Sequence, residues 1–205
     1  EEETSYEIQV NLRIVTLNGL SQLYRSKSIY LCGSNDDKQP ASLLKLDFTS
    51  NPIKLSYLVT SCFNHIYPAM VTIQNDFIAV AGGKGTKKCE MYNKKLVKWS
   101  SLADLPEERF GCTLIADSSN NCIYLFGGLN ENGKVCYSVL KYSFKPGYYW
   151  ETIITRQNSE LMGMMNSCVL KNDKNKIIFL GGTNNEGDMD RFVEYDLTNK
   201  NAKIL

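Results

Sequence analysis

Three Gly-Gly doublets, Gly82-Gly83, Gly127-Gly128 and Gly181-Gly182, recur along this chain, and a degenerate fourth precedes them at Cys32-Gly33. Counted from the second residue of each (33, 83, 128 and 182), the steps are 50, 45 and 54 residues. Each doublet closes a short apolar run: Ile29 to Leu31, Phe77 to Ala81, Ile123 to Phe126 and Ile177 to Leu180. A recurring period of this size marks a repeat architecture, in which one supersecondary unit recurs and neighbouring units bury each other's apolar faces. No other feature of the chain narrows its possible folds as far.

The unit reads most clearly between Pro68 and Pro106. Ala69 to Ile73 is strand-like, Gln74-Asn75-Asp76 supplies turn chemistry, and a second strand runs from Phe77 into Gly82-Gly83. Cys89 to Tyr92 makes a third strand, Asn93-Lys94-Lys95 a turn, and Val97-Lys98-Trp99 opens a fourth. Four short strands separated by turn signals predict one antiparallel sheet. The plan repeats with Gly111 to Ile115, Cys122 to Gly128, Tyr137 to Phe144 and Tyr149 to Ile154, then with Asn166 to Leu170, Lys176 to Gly182, Phe192 to Leu197 and Ala202 to Leu205. The first unit is degenerate: Ser28 to Ser34, Leu43 to Phe48 and Ile53 to Leu58 are clear, but its opening strand near Leu20 to Tyr24 is weak. Upstream, Tyr6, Ile8, Val10, Leu12 and Ile14 alternate with polar residues, which predicts an extra N-terminal strand within 1–19. No stretch carries a helical period, so the expectation is all-β, with repeats at about 20–61, 62–108, 109–160 and 161–205.

Charge excludes one class of partner. The 23 Lys+Arg against 22 Asp+Glu argue against a nucleic-acid binder, whose domain is ordinarily basic. Apolar runs are strand-sized, so no membrane-inserted helix is expected. The chain opens with Glu1-Glu2-Glu3 rather than a basic and then apolar stretch, so no secretory leader is expected. The seven cysteines are odd in number, form no Cys-x-x-Cys pair and fall mostly inside strand patterns. They read as small buried hydrophobes in a reducing compartment.

Gly82-Gly83, then Tyr92, Trp99, Leu102, Leu105-Pro106 and Arg109-Phe110, closely resembles the kelch repeat. The resemblance is strong in the second and third units, where Tyr142 and Trp150 recur, and partial in the fourth, where no Trp follows Tyr195. It is weak in the first, where Leu46 replaces Tyr and only Gly33 of a doublet remains. It implies a β-propeller with four recognisable four-stranded blades plus the extra strand. Three arrangements stay open: a closed four-bladed ring, half of a homodimer, or a fragment of a larger propeller with missing blades. In blades the doublet glycines allow close backbone approach, while Tyr and Trp fill the space between neighbouring sheets.

Catalysis is not expected. A galactose-oxidase-like copper site would need two histidines, and His65 is the only one in the chain. A sialidase-like site would need an arginine cluster, and only Arg13, Arg25, Arg109, Arg156 and Arg191 exist. Gly82-Gly83-Lys84-Gly85 precedes a strand rather than a helix, so it is no phosphate-binding loop. No metal or cofactor is expected.

The resemblance instead implies partner binding through loops held by rigid sheets. The loops after the doublets contribute Asn35, Asp36, Lys84, Asn130, Asn132, Asn184 and Asn185, and those between blades contribute His65, Tyr67 and Arg109. Arg109 stands first among these, with a salt bridge to Glu107 or Glu108 as its structural alternative. Charge reversal at Arg109 or Lys84 is accordingly expected to weaken binding without unfolding. Six lysines and one Glu between Lys84 and Lys98, and five acids against Arg191 between Asn184 and Asp196, give two oppositely charged segments. The expected role is a noncatalytic scaffold or adaptor in the cytoplasm, with the cytoskeleton as a candidate site. The alternative is the substrate receptor of a cullin-type ubiquitin ligase.

Overall fold

The computed structural model describes residues 28–34, 40–74, 76–145, 147–153, 158–172 and 175–205. The expected strands within 1–19 and near Leu20 to Tyr24 lie outside them. The described residues form an all-β, propeller-like series of antiparallel sheets. The first sheet has three strands, β1 (Ser28–Gly33), β2 (Ser42–Asp47) and β3 (Lys54–Tyr57). The second comprises β4 (Ala69–Ile73), β5 (Phe77–Ala81), β6 (Cys89–Asn93) and β7 (Lys98–Ser101), paired in chain order. The third follows the same plan with β8 (Thr113–Asp117), β9 (Cys122–Phe126), β10 (Val139–Ser143) and β11 (Trp150–Ile153).

The fourth sheet contains β12 (Cys168–Lys171) and β13 (Lys176–Leu180), then β16 (Phe192–Asp196) and β17 (Asn201–Ile204). Between β13 and β16 the doublet loop folds into a small hairpin, β14 (Thr183–Asn184) with β15 (Gly187–Asp188), which the sequence pattern does not announce. Nor does it announce the short 3-10 helix Ser159–Met162. The third-to-fourth strand turns do follow their Asx chemistry. Asp47, Asn93 and Asp196 each accept backbone N–H bonds from residues two or three ahead, at 2.8–3.0 Å.

Why each unit cannot stand alone is visible in β9. Cys122, Tyr124 and Phe126 pack against the fourth sheet, while Ile123 and Leu125 pack against the second. All five are buried, because side chains alternate across a strand and both faces here meet a neighbour. β5 repeats the pattern, with Ala79 and Ala81 turned to the third sheet and Ile78 and Val80 to the first. Three apolar cores therefore fill the three spaces between four sheets packed in series. The described sheets do not close into a ring.

Five of the seven cysteines are buried, and all seven are free thiols. Burial pushes the Cys32, Cys89 and Cys112 thiols up to about 12. Cys62 and Cys168 depart from the buried-hydrophobe reading, because both are exposed. No helix among the described residues is long and apolar enough to cross a membrane.

Candidate functional site

The antiparallel register decides which loops share an end. Ala69 pairs with Ala81, Thr113 with Phe126 and Cys168 with Leu180. The segment leading into each sheet therefore meets the doublet at one end, and the tight Asx turns occupy the other. A regular backbone network stitches this end together in three rungs.

In the first rung, the residue four places before each first strand accepts a bond from the preceding sheet's doublet. Gly83 N donates to Arg109 O at 2.8 Å, and Gly128 N donates to Met164 O at 2.9 Å. Ser34 N donates to His65 O at 2.9 Å in the same way. Gly33-Ser34, not Cys32-Gly33, is thus the structural counterpart of the doublets. That one-residue correction also places Tyr30 and Cys32 toward the second sheet, as Ala79 and Ala81 face the third.

In the second rung, Lys84, Leu129 and Thr183, which follow the doublets, donate to Ile66, Phe110 and Met165 of their own lead-in segments. In the third, equivalent lead-in residues bond to one another: Gly111 N to Tyr67 O at 3.0 Å and Asn166 N to Gly111 O at 2.9 Å. Tyr67, Gly111 and Asn166 all hold left-handed backbone, with φ of 56°, 64° and 52°. Because a glycine, a tyrosine and an asparagine share this position, residue identity gave no signal for it.

On this frame the expected contact residues separate. Lys84, Tyr67, Asn132 and Asn185 are exposed. Asn130 and Asn184 are half-buried and shape their own loops, since the Asn130 side-chain oxygen accepts from Asn132 N and Lys134 N, both at 3.0 Å, and that of Asn184 from Glu186 N at 2.8 Å. Asn35 and Asp36 lie outside the described residues.

Arg109 and His65 do not present their side chains at the rim, contrary to expectation. Both are fully buried. The Arg109 guanidinium donates to Glu107 Oε1 at 2.8 and 3.2 Å, to Ser138 O at 2.8 Å and to Ser138 Oγ. It thereby ties the lead-in of the third sheet to the approach of β10. His65 Nδ1 lies 2.6 Å from Gly82 O and so carries the proton there, because a carbonyl can only accept. Its Nε2 lies 3.4 Å from the buried Glu90 carboxylate, which also accepts from Cys62 N at 2.9 and 3.2 Å. Glu90 gave no signal in the sequence, where it reads as a polar residue in a strand.

The charged segments are partly neutralised in place. Lys88 pairs with Asp104 and Lys95 with Asp76, each at 2.8 Å, and Lys94 stands over the Tyr30 ring. Lys84 and the acidic Glu186, Asp188 and Asp190 remain open. Among the described residues, no group of three or more His, Cys, Asp or Glu is arranged to hold a metal ion.

No protein-family model matches this chain, and no curated protein matches it. Among solved structures it is similar to that of YjhT, with a TM-score of 0.67 at 16% sequence identity over 87% of this chain. The match spans 62% of the YjhT chain, so the similar structure is the longer of the two. At this identity the likeness concerns the fold, and it places four-stranded antiparallel sheets in a propeller-like arrangement.

Proposed function

We propose that this chain is a run of kelch-type propeller blades serving as a noncatalytic protein-interaction module. In this reading it is a cytoplasmic scaffold or adaptor that holds a protein partner on its loop rim. The supporting observation is the three-rung backbone network. It fixes the doublet loops and lead-in segments of successive sheets at one end, where Tyr67, Lys84, Asn132 and Asn185 point to solvent. Loops anchored this way lose little conformational entropy on binding, which favours recognition over a flat strand surface. The rim is basic near Lys84 and acidic from Glu186 to Asp190, so a partner with matching opposite charges would be steered in orientation as well as rate.

The test is affinity capture from a reduced lysate with the wild-type chain and with the double variant Lys84→Glu, Asn132→Ala, read by mass spectrometry. Partners lost with the variant, at unchanged melting temperature, support the rim. A cytoskeletal set would fit the adaptor role, and a cullin complex would move the reading to a ubiquitin-ligase receptor. Equal recovery by both proteins would sink the rim as the binding surface.

A further inference from the structure

The third-to-fourth strand turns, all at the end opposite the doublets, differ in what they place at their tips. Counted from the Asx residue, the third to fifth positions of the first and fourth turns are Thr49-Ser50-Asn51 and Thr198-Asn199-Lys200, all polar. The same positions of the second turn are Lys95-Leu96-Val97, and the longer third turn ends in Tyr148-Tyr149. Nothing in the fold accounts for these apolar residues. Leu96 is 72% exposed, Val97 54%, Tyr148 59% and Tyr149 62%. Val97 and Tyr148 also hold left-handed backbone, with φ of 51° and 43°. That conformation suits asparagine or glycine, and a β-branched residue is strained in it. Exposed apolar surface and local strain therefore coincide on two neighbouring turns, so the reason for both lies outside the chain.

The two turns stand side by side on a basic surface. Phe144 and Trp150, which flank the third turn, pack into the core shared with the second sheet. The carboxylates at this end are already engaged. Lys45 holds Asp47 at 2.7 Å, while Lys95 holds Asp76 and Lys171 holds Asp117, each at 2.8 Å. Asp196 accepts from Thr198 and Asn199 of its own turn, and Glu151 stands opposite Lys141 across the strands. Lys98 and Lys145 are exposed beside the tips, and among the described residues no carboxylate pairs with either. The uncompensated charge of this end is thus positive. A turn tip is convex, so it offers no cleft to a small ligand or peptide, but it can sink into a soft, planar surface.

We propose that this end of the molecule docks on an anionic lipid surface. Leu96, Val97, Tyr148 and Tyr149 enter the headgroup region, and Lys98 and Lys145 meet the lipid phosphates and carboxylates. Each residue type fits its place at such an interface. Tyrosine settles at headgroup level, with its ring on the apolar side and its hydroxyl wet. Leucine and valine are stabilised by leaving water. Lysine stems lie along apolar surface while their ammonium groups stay with the charges, and an anionic leaflet attracts each of them. The tips go no deeper than the interface, because irregular backbone is not tolerated against hydrocarbon. Docking through the turns leaves the doublet rim facing away from the lipid and open to a protein. The inference is therefore independent of the loop rim.

Co-sedimentation of the 205-residue chain with vesicles tests it. The expected result is binding to vesicles of equal phosphatidylcholine and phosphatidylserine, none to phosphatidylcholine alone, and release as salt is raised. Lys98→Glu with Lys145→Glu should weaken binding more than about tenfold. Leu96→Ser with Tyr149→Ser keeps every charge and should also weaken it more than about tenfold. All four positions are exposed, so both variants should keep the wild-type far-UV spectrum. Lys87→Glu with Lys134→Glu, the same charge change at the doublet end, should bind as wild type does. Val97→Asn should move two readouts in opposite directions, raising the melting temperature as strain is relieved and weakening vesicle binding. Absence of binding to the mixed vesicles overturns the proposal, as does equal loss in the doublet-end variant. Binding that survives Leu96→Ser with Tyr149→Ser overturns the insertion of the tips. Binding to polyglutamate as tight as to the mixed vesicles also overturns it and would assign this end to an acidic protein.

Discussion

Arg109 and His65 draw attention in the sequence because cations and imidazoles in loops usually do chemistry or meet partners. In the folded chain each spends its donors inward. Removing the Arg109 guanidinium would strand Ser138 O and open a buried space, so Arg109→Met should cost about 3 kcal/mol, read by urea unfolding. A variant as stable as wild type would show that the buried Arg109 network contributes no net stability. Asp117 makes the electrostatic case. Burial alone would raise its carboxyl, but bonds from Asn120, Lys171 and Ser119 outweigh that and hold it at about 2, against an ordinary 3.8. A depressed folded-state value favours the folded form while the carboxylate is charged. That contribution is present above about pH 4 and lost as pH falls toward about 2. Thermal melts between these limits should show the loss in wild type and a smaller one in Asp117→Asn. Parallel acid limbs would refute the assignment.

At the scale of elements, the same doublet motif carries different burdens in different sheets. Gly127 and Gly181 share a φ of 60°, so an alanine at either bears the same left-handed penalty, roughly 1 kcal/mol. Only at Gly127 does the new Cβ collide with a neighbouring carbonyl. Gly127→Ala should therefore lower the melting temperature well beyond Gly181→Ala, and equal shifts would mean the inter-sheet clasp carries no weight. The aromatic pairs show a parallel economy. Trp99 Nε1 donates to Val59 O at 2.9 Å and Trp150 Nε1 to Ala103 O at 3.0 Å, each reaching back to the preceding inter-sheet loop. In the fourth sheet Ala202 takes the tryptophan position opposite Tyr195, and the tie is made instead by Asn158 Nδ2 donating to Ala202 O at 2.7 Å. The missing Trp in the fourth repeat is thus a substitution of one loop anchor for another.

Across the whole molecule, stability should follow the number of covered faces. The second and third sheets are buried on both sides, the fourth on one. Native-state hydrogen exchange should find the amides of β5 and β9 slowest and those of β12 and β17 markedly faster, because local opening is easiest where less apolar surface is lost. Uniform protection would indicate that the open face is covered in solution. The strand pattern was legible in the chain to within two residues at most boundaries, from Ala69–Ile73 to Lys176–Leu180, because alternation and turn residues act over short distances. The doublets, too, announced the repeat. What the sequence by itself determined was the unit: four short strands, their turns, and two apolar faces per sheet. Only the tertiary structure decided which glycine begins the first doublet, which cations face inward and which apolar face lacks a neighbour. Those properties belong to contacts between residues 25 to 55 positions apart, such as Ser34 with His65 and Gly111 with Asn166, and no local pattern encodes them.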